Sequence, residues 1–318
     1  MTAEAREWEE VIGQMPDGSS IALPVIEYDG GPGPSVFIGC TIHGDEVTGQ
    51  ASVWRLREHL ASVEMRGRLT IIPVMNPLGF NYNVRGIPMS TTDLNRLYPG
   101  DPHGSSSERT TARVWSIARQ HDFIVDVHTA GWCIPHILVD PVGGELRDRV
   151  EEFALASGIT VLQEYEEERY QLQNLAASLP GVALKEGKVS LTVELGGFKG
   201  IDWASVNAGY VCLRNMLVNS GVIEGKPEAI TSAPVIRELG YRRTSIFAPK
   251  GGILRYDEAP GARVRKDALI AELRDVYGRA VEEVRSPKDG FIIALNATSV
   301  VPAGGHVAEI AVKSDPEG

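Results

Sequence analysis

Up to about residue 220, two kinds of apolar pattern alternate along the chain. Short, largely apolar runs are typical of strands buried in a parallel sheet, and they occur at 36–39, 69–74, 123–127 and 189–195. Segments with helical spacing of apolar residues lie at 51–60, 108–121, 145–157 and 202–218. This alternation predicts an α/β fold with a mainly parallel central sheet.

Two of these patterns allow finer predictions. Apolar positions alternate over residues 20–26, which predicts a hairpin at the edge of the sheet. In the helix at 51–60, we expect Trp54, Leu56 and Leu60 to lie in the core.

The residue composition and the apolar pattern of the chain change after Ile223. Residues 224–227 have the composition of a linker, and short β-rich pieces separated by glycines follow them. Segments 247–254 and 284–293 each contain a Pro-Lys-x-Gly turn before an apolar strand, which predicts a small β-sandwich. Its layout resembles a biotinyl or lipoyl carrier domain but lacks the modified-lysine motif. We therefore predict a catalytic domain at 1–223 and a structural domain at 224–318, which borders the active-site mouth or forms an oligomer contact.

A candidate metal-binding pair follows the first buried strand. His43 and Glu46 in His-Gly-Asp-Glu are three positions apart, so both can face one ion from a single helical turn. Catalytic zinc takes three protein ligands of this kind and keeps a fourth position open. This pair supplies two of the three.

His128 is the candidate for the third ligand. It stands at the exit of the strand at 123–127, where open α/β sheets place their ligands. A lone histidine there is more often structural, but His43 and His128 occupy the same position in consecutive strand–helix units. Asp126 shares a strand face with His128 and can orient it.

The strand at 189–195 carries a candidate general base. Glu194 lies near its end, before two glycines that allow a sharp turn. A carboxylate beside a metal site can accept a proton from water and pass it to a leaving amine. The alternative is a capping or salt-bridged glutamate.

The polar segment at 83–100 is interrupted by proline and glycine and predicts an ordered loop. Its Arg85, Asn95 and Arg96 can bind an anionic substrate, since arginine grips carboxylates bidentately. An arginine near the metal can also stabilise an oxyanion. The alternative is a solvated loop with surface arginines.

Four motifs in this order, HGDE, DLNRLYPG, DVHTAG and TVELGG, resemble the succinylglutamate desuccinylase and aspartoacylase family. That family belongs to the zinc carboxypeptidase superfamily. The chain is most similar to its bacterial branch of deacylases, which includes deacetylases of N-acetyl-diaminobutyrate. The resemblance covers nearly the whole chain and implies a zinc-carboxypeptidase-like fold.

The resemblance also implies the role of each site residue. The implied ligands of one zinc ion per chain are His43, Glu46 and His128. Glu194 matches the general base and acid. Arg85 matches the arginine that polarises the scissile carbonyl.

For the substrate, Asn95 and Arg96 match the pair that holds a carboxylate. A substrate-contacting tyrosine is also implied, and Tyr98, Tyr170 and Tyr256 are all candidates.

The predicted function is zinc-dependent removal of an acyl group from an N-acyl amino acid, by metal-activated water with Glu194 as general base and acid. Two alternatives stay open: a metallocarboxypeptidase acting on short peptides, and a non-catalytic binding protein with the same fold. Zinc also stays open against other divalent ions, because His and carboxylate ligands suit several metals.

The composition restricts the classes of molecule that the protein is expected to bind. The 318 residues carry a net charge of −11, which argues against nucleic-acid binding. The N-terminus is charged rather than signal-like, and no run is long and apolar enough to cross a membrane. We therefore expect a cytoplasmic protein with a small-molecule substrate, and an assembly of identical chains is compatible with this.

Two further features have two interpretations each. The cysteines are Cys40, Cys133 and Cys212, which we expect to be reduced and buried rather than nucleophiles or ligands. The acidic run at 164–168 is either a solvated face or the lining of a pocket for a cationic substrate side chain.

Overall fold

The structure is a computed structural model that describes residues 4–88 and 90–314. Its helices in this part of the chain are α1 (Thr48–Leu60), α2 (Pro77–Tyr82), α3 (Ser106–Ala118), α4 (Gly144–Ala156), α5 (Glu167–Leu172), α6 (Leu179–Lys185) and α7 (Trp203–Ser220). Short 3-10 turns lie at Leu94–Arg96 and Leu175–Ala177. Within the described ranges, none of the helices combines the length and the apolar character that spanning a bilayer requires.

The strands of the first part are β1 (Ala5–Gln14), β2 (Ser20–Asp29), β3 (Ser35–Cys40), β4 (Arg68–Ile72), β5 (Phe123–Thr129), β6 (Trp132–Cys133), β7 (His136–Val139), β8 (Thr160–Gln163) and β9 (Val189–Leu195). The later strands are β10 (Tyr241–Phe247), β11 (Gly252–Tyr256), β12 (Arg263–Val264), β13 (Leu269–Arg274), β14 (Ala280–Arg285), β15 (Gly290–Leu295), β16 (Val300–Val301) and β17 (His306–Lys313).

One large mixed sheet dominates the fold. Its order is β1-β2-β4-β3-β5-β9-β7-β8-β10-β17-β15-β12, and β6 also pairs with β15. The centre is mostly parallel, through the pairs β4–β3, β3–β5, β5–β9 and β7–β8. The predicted mainly parallel sheet is confirmed, and the antiparallel β1–β2 pair forms the expected hairpin at its edge.

The sheet is covered by helices on both faces because its central strands are apolar on both faces. On β5, Val125 and Val127 pack into a core that includes α1, α4 and α7. Ile124 points the other way and joins a second core that includes α3 and α6. The strand period of two therefore divides the apolar side chains between two layers.

The predicted core of α1 is partly wrong. Leu56 and Leu60 are fully buried, but the Trp54 side chain is half exposed. Val53, Leu56 and Leu60 follow the three-and-four spacing of one helix face. Trp54 is one step from that face, about 100° around the helix.

The C-terminal strands form a second, four-stranded antiparallel sheet in the order β14-β13-β11-β16. It packs over an apolar core that includes Leu254, Leu273 and Ile310. The other C-terminal strands extend the central sheet, since β10 pairs in parallel with β8 through Arg242 and Gln163. The division into 1–223 and 224–318 stays a prediction, and residues 1–3 and 315–318 lie outside the described residues.

A buried ion pair stabilises this junction. Arg243 on β10 binds both carboxylate oxygens of Glu164, which follows β8, with Nη2 2.6 Å from Oε2. The Arg243 side chain is 13% exposed and that of Glu164 is 3% exposed. Arg243 also lies 3.5 Å from Glu309 on β17. One guanidinium therefore compensates two carboxylates where the sheet passes from one part of the chain to the other.

We expect Arg243→Met to lower the free energy of unfolding by roughly 3–5 kcal/mol, because it leaves a buried carboxylate without its partner. Arg242→Met is the matched control. Arg242 is paired with the exposed Glu166 at 3.8 Å, so its loss should cost less than about 1 kcal/mol. Urea unfolding of both variants measures the difference, and equal losses would contradict the assignment.

Candidate functional site

A cavity of about 440 Å³ opens at the carboxyl ends of β3, β5 and β9. Open α/β sheets bind ligands at this edge. All seven predicted site residues line the cavity, namely His43, Glu46, Arg85, Asn95, Arg96, His128 and Glu194. The structure therefore brings together residues that are up to about 150 positions apart in the chain.

His43, Glu46 and His128 form a group whose ligand atoms lie within 4.8 Å of one another. His43 Nδ1 is 2.8 Å from Glu46 Oε1, and His128 Nδ1 is 3.0 Å from Glu46 Oε2. The two Nδ1 atoms are 3.2 Å apart. The group could hold a metal ion, with the Nδ1 atoms of both rings facing it.

The sheet and a tight turn create this convergence. β3 and β5 are parallel neighbours, so the segments that leave them begin side by side. The turn after β3 packs closely, since a Cβ on Gly44 would lie 2.0 Å from the Gly79 carbonyl carbon. Gly44 N also donates to Arg85 O at 3.1 Å, which ties the turn to the loop that carries Arg85.

Two carboxylates bind the Nε2 atoms of the imidazole rings, which point away from the group that could hold a metal. His43 Nε2 lies 3.0 Å from Asp93 Oδ1, and His128 Nε2 lies 2.9 Å from Asp126 Oδ2. Such contacts fix the tautomer that leaves Nδ1 free for a metal. The expected orienting contact of Asp126 is confirmed, whereas sequence reasoning assigned no role to Asp93.

The charges around Asp93 stabilise its ionised form. Burial alone would raise its pKa, but contacts with His43 and Arg85 hold the pKa of Asp93 well below its usual range. Arg85 donates to Asp93 Oδ2 at 3.0 Å and to Glu46 Oε1 at 3.2 Å. The donor types and their orientation fit a divalent cation, for which neutral imidazoles and ionised carboxylates are the usual ligands.

Glu194 stands beside His128, since the two residues are register partners in β9 and β5. Within the described ranges, no hydrogen bond or ion pair engages the Glu194 carboxylate. Burial raises its pKa to about 7, with His128 opposing the shift and Glu46 adding to it. A carboxyl with such a pKa can exchange a proton near neutral pH.

Asn95 and Arg96 have different surroundings. The Asn95 amide is 5% exposed, donates to Asp126 Oδ2 at 3.0 Å and accepts from Leu179 N at 3.0 Å. Arg96 donates to the carbonyl oxygens of Gln173 and Asn95, each at 2.7 Å. Substrate contact by either residue stays a prediction. The Asn95 amide already makes hydrogen bonds within the protein. The Arg96 guanidinium is held at the cavity wall by backbone carbonyls.

None of the three candidate tyrosines lines the cavity. Tyr98 is buried, the Tyr170 hydroxyl donates to Asp140 at 2.8 Å, and the Tyr256 hydroxyl donates to backbone carbonyls of Asn296 and Val307.

The three cysteines are unpaired and buried, as expected. Burial raises the pKa of each thiol, so all three stay protonated at neutral pH.

The C-terminal strands contribute to another wall of the cavity, which agrees with one of the two roles expected for that part of the chain. This wall is lined by Asp140, Glu164, Arg243 and Glu309, two of which lie on C-terminal strands. Glu164 is the first residue of the acidic run at 164–168, and the two interpretations of this run each hold for part of it. Glu164 is buried against Arg243 and lines the cavity, while the glutamates at 166–168 are exposed. The C-terminal strands thus form part of the cavity in addition to their structural role.

Comparison with known proteins was consistent with this architecture. A family model, the succinylglutamate desuccinylase/aspartoacylase catalytic domain, matches residues 32–218. The N-alpha-acetyl-L-2,4-diaminobutyric acid deacetylase of Halomonas elongata is 27% identical over 305 residues, which cover 92% of this chain and 86% of the relative.

Solved structures have the same fold. A succinylglutamate desuccinylase/aspartoacylase from Rhodobacter sphaeroides is 25% identical, with a TM-score of 0.82 and coverage of 98% of this chain and 95% of that one. The ectoine utilization protein from Ruegeria pomeroyi is 22% identical, with a TM-score of 0.83 and coverage of 97% and 95%, which shows the likeness of fold alone. The family model spans more than half of the chain, and the protein therefore belongs to the succinylglutamate desuccinylase/aspartoacylase family of deacylases.

Proposed function

We propose that the protein is a zinc-dependent amidohydrolase that removes the acyl group from an N-acyl amino acid. The observation that carries this proposal is the placement of Glu194 beside His128, in one cavity with the converging Nδ1 atoms and Glu46. A carboxylate that makes no hydrogen bond or ion pair with the described residues, next to a metal-binding group, is the arrangement that amide hydrolysis by water requires.

We assign the metal to His43, Glu46 and His128. Zinc bound there would supply Lewis acidity, which acidifies water and polarises a carbonyl oxygen. Glu194 takes a proton from water as its oxygen bonds to the acyl carbon. It then delivers that proton to the amide nitrogen as the carbon–nitrogen bond breaks, so a carboxylic acid and a free amine leave.

Two arginines complete the chemistry. Arg85 reaches the edge of the metal group, where its guanidinium can donate to the carbonyl oxygen as negative charge develops on it. Arg96, held by two backbone carbonyls, binds the substrate carboxylate and sets the amide over the metal group. Asn95 positions Asp126 and thereby His128, in addition to the substrate contact that the family resemblance implies.

The relatives suggest which substrates to assay first. The Halomonas relative is named for N-alpha-acetyl-L-2,4-diaminobutyric acid, and the family for succinylglutamate and for acylated aspartate. Short peptides with a free carboxyl terminus belong in the same screen, because a metallocarboxypeptidase would use the same groups. Release of an amino acid from peptides alone would favour that alternative.

Metal binding can be tested directly. We expect elemental analysis to find about one zinc ion per chain in the purified protein. His43→Ala should lose the metal because it removes one of three ligands, while His103→Ala should keep it because His103 lies on the exposed surface. Equal zinc content in all three proteins would contradict the assigned ligands.

Glu194→Gln tests the proton transfer. It keeps the size of the side chain but removes the proton acceptor, so kcat should fall by about 10²–10⁴ with zinc content unchanged. The control is Glu186→Gln, which changes an exposed carboxylate paired with Arg119. Amide hydrolysis at the wild-type rate by the Glu194 variant would exclude the proposed mechanism.

Arg96→Ala tests the carboxylate contact. KM should rise about tenfold to a hundredfold, since a charge-assisted hydrogen bond to the substrate is lost. Arg119→Ala, which alters an exposed arginine, should leave KM unchanged. If the Arg96 variant retains the wild-type KM for a carboxylate substrate, Arg96 does not bind that group.

A further inference from the structure

A second, apolar depression adjoins the proposed active site. Its volume is about 330 Å³, and its lining includes Trp132 and Phe198 on its sides and Ala297 from the C-terminal part of the chain. Trp132 is 48% exposed and Phe198 is 50% exposed. We refer to this depression as the aromatic groove.

The aromatic groove is continuous with the catalytic cavity. Gly131, Gly197, Phe198 and Ala297 line both spaces. The two glycines follow the strands that carry His128 and Glu194, each three residues further on. The groove therefore begins directly beside the place where the amide carbonyl must lie.

The boundary between the cavity and the groove, which we call the threshold, is formed by the backbone of Gly131 and Gly197 rather than by side chains. Gly197 N donates to Gly131 O at 2.7 Å. Gly197 has φ +127°, and a Cβ there would approach Thr48 Oγ1 to 2.6 Å, so no side chain fits. At Gly131 an added Cβ would lie 3.5 Å from the Ala297 Cβ, an ordinary van der Waals contact, so a side chain there would narrow the passage.

Among the described residues that line the groove, Asp202 is the one with a carboxylate, and that carboxylate caps α7. It accepts from the Ser205 hydroxyl at 2.6 Å and from Ala204 N at 3.2 Å. The Trp132 ring is braced edge-on against Tyr256, with the ring centroids 6.0 Å apart. Exposed aromatic faces beside a site are surfaces suited to an apolar group of a ligand.

The charges of the catalytic cavity decide which end of the substrate enters the groove. Arg96 interacts electrostatically with Asp93, Arg243 and Glu164, none of which lines the groove. An N-acyl amino acid has a charged amino-acid end and an acyl end. The charged end suits the region of Arg96, which leaves the acyl end for the uncharged space beyond the threshold.

We propose that the aromatic groove receives the acyl group and that the enzyme prefers uncharged alkyl or aryl acyl groups longer than acetyl. This inference rests on the proposed deacylase function and names its substrate class. Lys199, which follows Phe198, lines the catalytic cavity but not the groove. A dicarboxylic acyl group such as succinyl would bring a carboxylate into a groove whose described lining residues include no cation, so it serves as the opposing probe.

The experiment compares acyl groups on fixed amino acids. The zinc-loaded enzyme is offered Nα-acetyl, Nα-hexanoyl, Nα-benzoyl and Nα-succinyl derivatives of L-2,4-diaminobutyric acid and of L-aspartic acid. Because each methylene that fits an apolar pocket adds to discrimination, kcat/KM for hexanoyl or benzoyl should exceed that for acetyl by about tenfold or more. A preference for acetyl or succinyl would overturn the proposal.

Substitutions in the groove test whether its aromatic residues cause the preference for longer acyl groups. Trp132→Ala and Phe198→Ala should each raise KM for the hexanoyl substrate and remove most of its advantage. Trp54→Ala is the matched control, because Trp54 is a similarly exposed tryptophan on α1. Unchanged hexanoyl selectivity in both groove variants would overturn the proposal.

A binding measurement separates this inference from the proposed function. Sodium hexanoate, the acid that cleavage would release, should change tryptophan fluorescence saturably in the wild type and not in Trp132→Phe. If none of the amides is cleaved, the deacylase function fails, and the hexanoate titration alone decides whether the groove binds acyl chains. The same response in Trp132→Phe, or no response in the wild type, would overturn the groove assignment.

Discussion

Two imidazole nitrogens only 3.2 Å apart are the feature on which the rest of the site depends. Holding them face to face requires that the opposite nitrogen of each ring be anchored, and Asp93 and Asp126 provide these anchors. The anchors are in turn restrained by Arg85 and by the Asn95 amide. The carboxylates of Asp93 and Asp126, which would be costly to bury singly, thus each contact an opposite charge or a donor.

Much of this arrangement could be predicted because it follows from periodicity and position. Buried strands have a recognisable composition, and polar residues at the carboxyl ends of neighbouring parallel strands must meet. That reasoning was sufficient for His43 and His128, and Glu194 followed from the same rule. The prediction for Trp54 was wrong because this residue lies about 100° around α1 from the buried face of the helix.

What could not be predicted depends on contacts between distant segments. Asp93 lies in an irregular loop and meets His43 across 50 residues, so neither period nor spacing reveals the contact. The pairing of β8 with β10 likewise cannot be predicted from the local sequence of either strand. The placement of Arg243 and Glu309 at the cavity depends on that pairing, so it could not be predicted either. Motifs that resemble a family could supply roles for Arg85 and Arg96, but not the neighbours of those side chains.

The continuous sheet makes the two parts of the chain interdependent. A fragment that ended at residue 223 would expose β8 as an edge strand, and unpaired edges invite association between chains. It would also leave Glu164 without its guanidinium and open the cavity on the side of β15 and β17. Recombining the parts before and after residue 223 from different relatives would therefore change the shape of the cavity, because strands from both parts form its walls.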